Sequence, residues 1–179
     1  SVSIVQKYSE ILPQLTQLKN LQKITPISLN IGVKSASGEI IVILGAHSFV
    51  HNDFIKNSVL ALDEADAVCV GGPIENIGSS YIGKAIALAM KSPFGVGNSL
   101  FRTSRKRQYV DTVAFGAYRK EVFKAVGYFD ESLIRNQDFE FNQRILKLGS
   151  KILLTPEITS YYYARNSLPQ LFTQYFNYG

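Results

Sequence analysis

One run constrains this chain more than any other: Ile40-Ile41-Val42-Ile43-Leu44, five apolar residues without interruption, ending at Gly45. A strand with one wet face alternates apolar and polar residues. An unbroken, mostly β-branched run reads instead as a strand buried on both faces, the kind found inside a parallel sheet. The segment that follows is polar and carries His47, His51 and Asp53. It is therefore expected at the carboxyl end of a central strand, where open α/β sheets place their ligands. The run falls well short of the roughly 20 apolar residues that cross a bilayer, and no other stretch approaches that length, so a soluble chain is expected.

Helical and extended patterns alternate around this strand. Residues 3–12 read as a short amphipathic helix stopped by Pro13, and 15–20 as a weak strand. Pro26 opens a helix that Gly38 ends, with Ile27, Leu29, Ile31 and Val33 as its apolar stripe. The spacing then predicts the strand 39–44, a helix capped by Asn52 and running to about Ala65, a strand over 66–73 ending in a Gly-Gly-Pro turn, and a helix over 79–92. Residues 92–110 read as a long loop with glycines and a basic cluster, a length that in compact domains is usually functional or mobile. A strand over 110–118, a short helix closed by Gly127, a longer helix over 137–149, two extended segments and a terminal helix over 167–179 complete the chain. One α/β layered domain follows, with a mixed, mainly parallel sheet. The strand at 40–44 needs neighbours, yet one weak strand precedes it. That deficit predicts an exposed sheet edge and self-association through it, as a homodimer.

Composition narrows the class. Hydrophobic residues make up 46% and charged residues 18%, a globular balance. The net charge of +5 suits an anionic ligand, a membrane surface or nucleic acid, and no motif of a nucleic-acid-binding class is present. The single cysteine, Cys69, offers neither a disulfide framework nor a metal cluster and reads as a small buried strand residue.

Two segments, "LNIGVKSASGEIIVILGAHS" and "VDTVAFGAYRKEVFKAVGYFDESLIRNQDFEFNQRILKLG", resemble family 2 glycosyltransferases, nearest the branch that builds bacterial exopolysaccharides. The likeness runs from about Ile24 to the C-terminus. It implies the GT-A fold, a nucleotide-sugar donor and transfer to the hydroxyl of a saccharide or lipid-linked acceptor, at the inner, cytoplasmic face of the cell membrane. It further implies that the strands reading the nucleotide base are missing from the N-terminal side. Residues 1–91 would then be the remainder of the nucleotide-sugar half and 92–179 the acceptor half.

The resemblance also assigns candidate residues. Gly45-Ala46-His47 occupies the family's Asp-x-Asp or Asp-Ala-His position, where Mg²⁺ or Mn²⁺ bridges the donor phosphates. Gly45 has no side chain to ligate, which leaves His47 as the candidate metal ligand; a lone His at a strand end equally fits a hydrogen-bonded structural residue. A crippled site, a variant relying on His47, and an Asp-to-Gly change of no ancestral meaning all stay open. Asp138 aligns with the catalytic base that takes the acceptor proton in an inverting transfer; its place at a helix start also fits a mere cap. Asp111 and Gly116 stand on the acceptor side, the latter among small residues that allow close approach. Arg102, Arg105, Lys106 and Arg107 form a basic loop that can bind the donor diphosphate or an anionic membrane surface, and Arg165 joins the diphosphate set by family position. Glu140 and Arg144 read as a surface ion pair, and Phe141, Ile145 and Leu148 as a core stripe. Tyr161, Tyr162 and Tyr163 read as packing. The alternative from another class is a catalytically silent fragment serving as a binding or assembly module.

Overall fold

Alternation along the inner strands decides the layering. Cys69, Tyr118, Ile152 and Leu154 turn into one buried cluster, while Val70, Ala117 and Leu153 turn into another. In chain order the strands are β1 (Ile40–Val42), β2 (Ser48–Val50), β3 (Cys69–Gly72), β4 (Ile74–Ile77), β5 (Gln108–Val110), β6 (Ala114–Arg119), β7 (Ile152–Leu154) and β8 (Ser160–Tyr163). The helices are α1 (Val2–Ser9), α2 (Thr25–Ser35), α3 (Phe54–Glu64), α4 (Tyr81–Ala89), α5 (Pro93–Val96), α6 (Leu100–Thr103), α7 (Glu121–Val126), α8 (Gln137–Lys147) and α9 (Leu168–Phe176). The computed structural model describes residues 2–97 and 99–176. A five-stranded sheet runs β1-β6-β3-β7-β5 and a three-stranded sheet β2-β8-β4. Val33 of α2, Phe123 of α7 and Phe141 and Ile145 of α8 cover one face of the larger sheet; Phe54, Ala61 and Leu62 of α3 cover the other.

This layering corrects the place expected for the apolar run. Among the described residues β1 is an edge strand, paired antiparallel with β6 alone in the register Ile41↔Tyr118. Its side chains are apolar throughout because Ile41 packs toward the α2–α8 side and Ile40 and Val42 toward the α3 side. Burial on both faces depends on the layers above and below, not on the number of strands alongside. The same reasoning corrects the parallel share of the mixed sheet: β3–β7 and β4–β8 are parallel, whereas β1–β6, β3–β6, β5–β7 and β2–β8 are antiparallel.

Other expectations shift locally. Residues 15–20 form no strand and are mostly exposed. Helix α2 ends at Ser35 and buries Pro26, Asn30 and Val33, one helical face, in place of the stripe through Ile27 and Ile31. Asn30 sits there because its amide and carbonyl bond the backbone of Phe129, with Nδ2 also on Glu131 Oε1. Asp53, not Asn52, holds the N-cap position of α3. The 92–110 stretch carries α5, α6 and β5, and Asn98 within it lies outside the described residues, as do 177–179 of the expected terminal helix. Phe141 and Ile145 are fully buried, but Leu148 is exposed, because it follows the last helical residue and holds the C-cap position of α8. Gly72 is where glycine is obligatory: a Cβ there would lie 1.4 Å from the Ile158 carbonyl oxygen.

Helix α8 is fastened by Arg144. Its guanidinium donates to both carboxylate oxygens of Glu140 at 2.6 and 2.8 Å and to the carbonyls of Val126 and Tyr128 at 2.8 Å each. The expected ion pair is therefore present, but it is half-buried and ties α8 to the chain leaving α7.

Candidate active site

Strand β1 delivers the chain to Gly45 beside β6. The ladder continues one residue past β1, with Ile43 N–H donating to the Gly116 carbonyl at 3.1 Å. A turn follows, closed by the Ser48 hydroxyl and amide on the Gly45 carbonyl at 2.6 and 3.2 Å. Beside it Phe115 holds a left-handed backbone, φ 51°, which is uncommon outside glycine and costly for an aromatic residue. Phe115 and Gly116 both line a cavity of about 350 Å³. Gly116 leaves no room for a side chain, since a Cβ would meet the Tyr118 ring at 2.7 Å.

Gly45 and Asp138 line this same cavity, together with Arg102, Phe115, Gly116 and Tyr118. Asp138 is in the first turn of α8 and its Oδ1 accepts the Phe139 amide at 2.9 Å. It is not the helix cap: that position belongs to Asn136, in the left-handed region at φ 57°. The carboxylate sits among first-turn amides that favour negative charge. One turn on, buried Asn142 accepts from the Tyr118 hydroxyl at 3.1 Å and donates to Thr112 Oγ1 at 2.9 Å. Burial first, and then the neighbouring Cys69 and the Asp138 charge, push the Tyr118 phenol well above its ordinary value, so it stays a donor. Burial likewise raises the Cys69 thiol, which is free and inert.

His47 opens onto a second cavity, of about 570 Å³, lined also by Arg135 and Arg165. Thr25 and Gln174 line both cavities, so the two adjoin. Arg165 Nε donates to Gln174 Oε1 at 2.8 Å, on the seam between them. The end of β1 and the start of α8 therefore face one divided cleft.

The basic cluster does not act together. Arg102 lines the first cavity and donates to Asn76 Oδ1 at 3.2 Å. Arg105 is drawn away to Glu75, 2.5 Å off, where Lys91 also binds at 2.7 Å. Burial raises the Glu75 carboxyl, but those two cations outweigh it and hold it below its ordinary value. Arg107 pairs with Glu64 at 3.4 Å beside α3. Lys106 is exposed, and so is Asp111, which lines neither half of the cleft. Phe49 stacks on Tyr161, with ring centroids 4.6 Å apart, while Tyr162 lines the first cavity. Sequence reasoning missed Asn76, Tyr118, Arg135 and Gln174. Asn76 and Tyr118 matter through partners 24 or more residues away, at Arg102 and Asn142, and no local pattern marks them.

The residues present do not fit the divalent cation that the resemblance implies. Gly45 supplies no side-chain oxygen, and its carbonyl is taken by Ser48; among the described residues no three of His, Cys, Asp and Glu gather as a ligand set. Space is not the obstacle: a Cβ on Gly45 would meet Phe115 Cε1 at 3.4 Å, an ordinary contact.

Comparisons with known proteins fit this geometry. The family model described as Glycosyl transferase family 2 matches residues 1–127. A Methanococcus voltae protein, dolichyl N-acetyl-alpha-D-glucosaminyl phosphate 3-beta-D-2,3-diacetamido-2,3-dideoxy-beta-D-glucuronosyltransferase, is 32% identical over 85% of this chain and 49% of its own length. Succinoglycan biosynthesis protein ExoA of Rhizobium meliloti (strain 1021) is 33% identical over 93% of this chain and 51% of its own. The chain thus spans about half the length of these relatives. Among solved structures, GalNAc-T7 with UDP, GalNAc and Mn²⁺ superposes with TM-score 0.68 at 16% identity, over 92% of this chain and 35% of that one. S. aureus TarS 1–349 superposes with TM-score 0.62 at 19% identity, over 92% and 47%. These likenesses show the fold, the GT-A type.

Proposed function

The chain belongs to glycosyl transferase family 2, and on that premise we propose that it transfers a sugar, with inversion, from a nucleotide-sugar to a saccharide or lipid-linked acceptor in bacterial polysaccharide synthesis. The observation that supports this reading is the shared cavity of Gly45 and Asp138, since by resemblance the Gly45 position is the one that faces the donor phosphates. The acceptor hydroxyl loses its proton to the Asp138 carboxylate as its oxygen attacks the anomeric carbon. The bond from that carbon to the diphosphate breaks, and its electron pair leaves on the diphosphate. Arg102 and Arg165, one on each half of the cleft, counter the departing charge. Because the cation ligands do not fit, no step is assigned to a metal. The inner face of the cell membrane is the proposed location. A lipid-linked acceptor has its support in the relative whose printed name specifies a dolichyl-phosphate-linked sugar.

The second reading, a silent binding module, is favoured by Gly45, which leaves the phosphate side without its carboxylate. Turnover separates them. Release of nucleoside diphosphate in the presence of lipid-linked acceptor should fall about 10²- to 10⁴-fold in Asp138→Asn with donor affinity retained, the range for loss of a general base. Donor binding without turnover by the wild-type chain would support the binding module instead.

A further inference from the structure

Asn76 on β4 is 6% exposed, and its Nδ2 is a buried side-chain donor without a partner among the described residues. Its Oδ1 is not idle, since it accepts from Arg102 Nη1 at 3.2 Å, which leaves Nδ2 as the unpaired atom of an amide held beside that guanidinium. An unpaired buried donor is destabilising, and native structures rarely keep one without use. Its surroundings say what the use is. Ile74 and Asn76 are two apart on β4, so they project from the same sheet face, and Asn76 is in parallel register with Tyr162 of β8. Ile74, Tyr162 and Arg102 all line the cavity that holds Asp138. Asn76 thus lies on the cavity-facing side of the small sheet, just behind the lining and joined to a cavity-lining guanidinium whose movement toward a ligand would uncover it.

We propose that Asn76 and Arg102 form a two-donor cradle for a phosphate oxyanion of the substrate, a neutral N–H and a charged N–H converging on one group. This inference rests on the transfer reading and adds a binding residue to it. An oxyanion entering the cavity draws the Arg102 guanidinium, and the Asn76 amide donates as the second contact, satisfying the orphan group. The same chemistry is offered by the donor diphosphate and by a phosphate on the acceptor.

Isothermal titration of the whole chain with uridine diphosphate and, separately, with farnesyl phosphate tests it, using wild type, Asn76→Leu and Asn76→Asp. Asn76→Leu removes the donor at similar volume, and Asn76→Asp keeps an oxygen for Arg102 while losing the donor. At least tenfold weaker binding of uridine diphosphate in both variants, with unfolding temperature kept or raised in Asn76→Leu, supports the cradle and assigns it to the donor. The same loss confined to farnesyl phosphate supports the cradle and assigns it to the acceptor. Unchanged affinity for both probes overturns the inference but leaves the Asp138 assay intact. Loss in Asn76→Leu with full retention in Asn76→Asp also overturns it, by reducing Asn76 to a prop for Arg102.

Discussion

At Gly45 the cleft lacks the carboxylate side chain that the family motif carries. The backbone there is not left-handed and a Cβ would find only ordinary contacts, so the chain has room for the carboxylate that the family motif carries. Gly45→Asp should therefore fold with an unfolding temperature close to that of wild type and acquire Mn²⁺ binding, with His47 two residues on as a second ligand. Titration calorimetry checks this: heat with Mn²⁺ in the variant and little in wild type is expected, and equal heats would show that the wild-type residues already suffice. Gly45, His47 and Asp138 were legible in the sequence, because their neighbours in the chain carry a family pattern. Asn76 and Tyr118 were not, because a buried amide or phenol acquires meaning only from partners at Arg102, Asn142 and Cys69. Arg105 and Arg107 misled for the converse reason. A run of charge says nothing of which carboxylate will claim each member, and Glu75 and Glu64 did.

Among elements, α8 matters most, since its first turn holds Asp138. Arg144 fastens its outer side to the carbonyls of Val126 and Tyr128, and Tyr118 fastens its inner side through Asn142. Tyr118→Phe leaves the buried Asn142 Oδ1 short of a donor, a loss of about 1–3 kcal/mol by the usual cost of such groups. Urea denaturation measures that cost. Turnover should fall in the same variant while donor affinity stays, because the helix that carries the proposed base is less firmly held. A variant with unchanged stability and turnover would remove Tyr118 from the account. Helix α8 was readable from its periodicity, its first-turn acids and Gly149 beyond its end. The position of β1 was not, since apolar side chains on both faces are equally required at the edge and at the centre of a sheet that helices cover twice. The strands β2 and β4 escaped notice because three residues, or four between Pro73 and Gly78, give no period to read.

For the molecule as a whole, no described helix is long and apolar enough to cross a membrane. The open edge of β1 offers unpaired backbone, so a sizing column should show concentration-dependent self-association. The acid limit follows from carboxyls held low in the fold: Glu75 by Lys91 and Arg105 against the cost of burial, Glu157 by the Thr155 hydroxyl, and Asp130 by Ser132. A carboxyl lowered on folding contributes stability above its unfolded value and loses it as pH falls through the native one. Thermal unfolding should thus be level from about pH 5 to 8 and decline below about pH 4. The opposing case is Lys151, raised by its hydrogen bond to and charge pairing with Asp66, whose contribution holds below its ordinary value of 10.5 and is lost as the pH climbs through the native one. If the end of β1 and the start of α8 form one diphosphate-binding cleft, as proposed, amide NMR titration with uridine diphosphate will gather its shifts at Gly45, His47, Gly116 and Asp138. Shifts confined to α3 and β5, or none at millimolar ligand, would rule that cleft out.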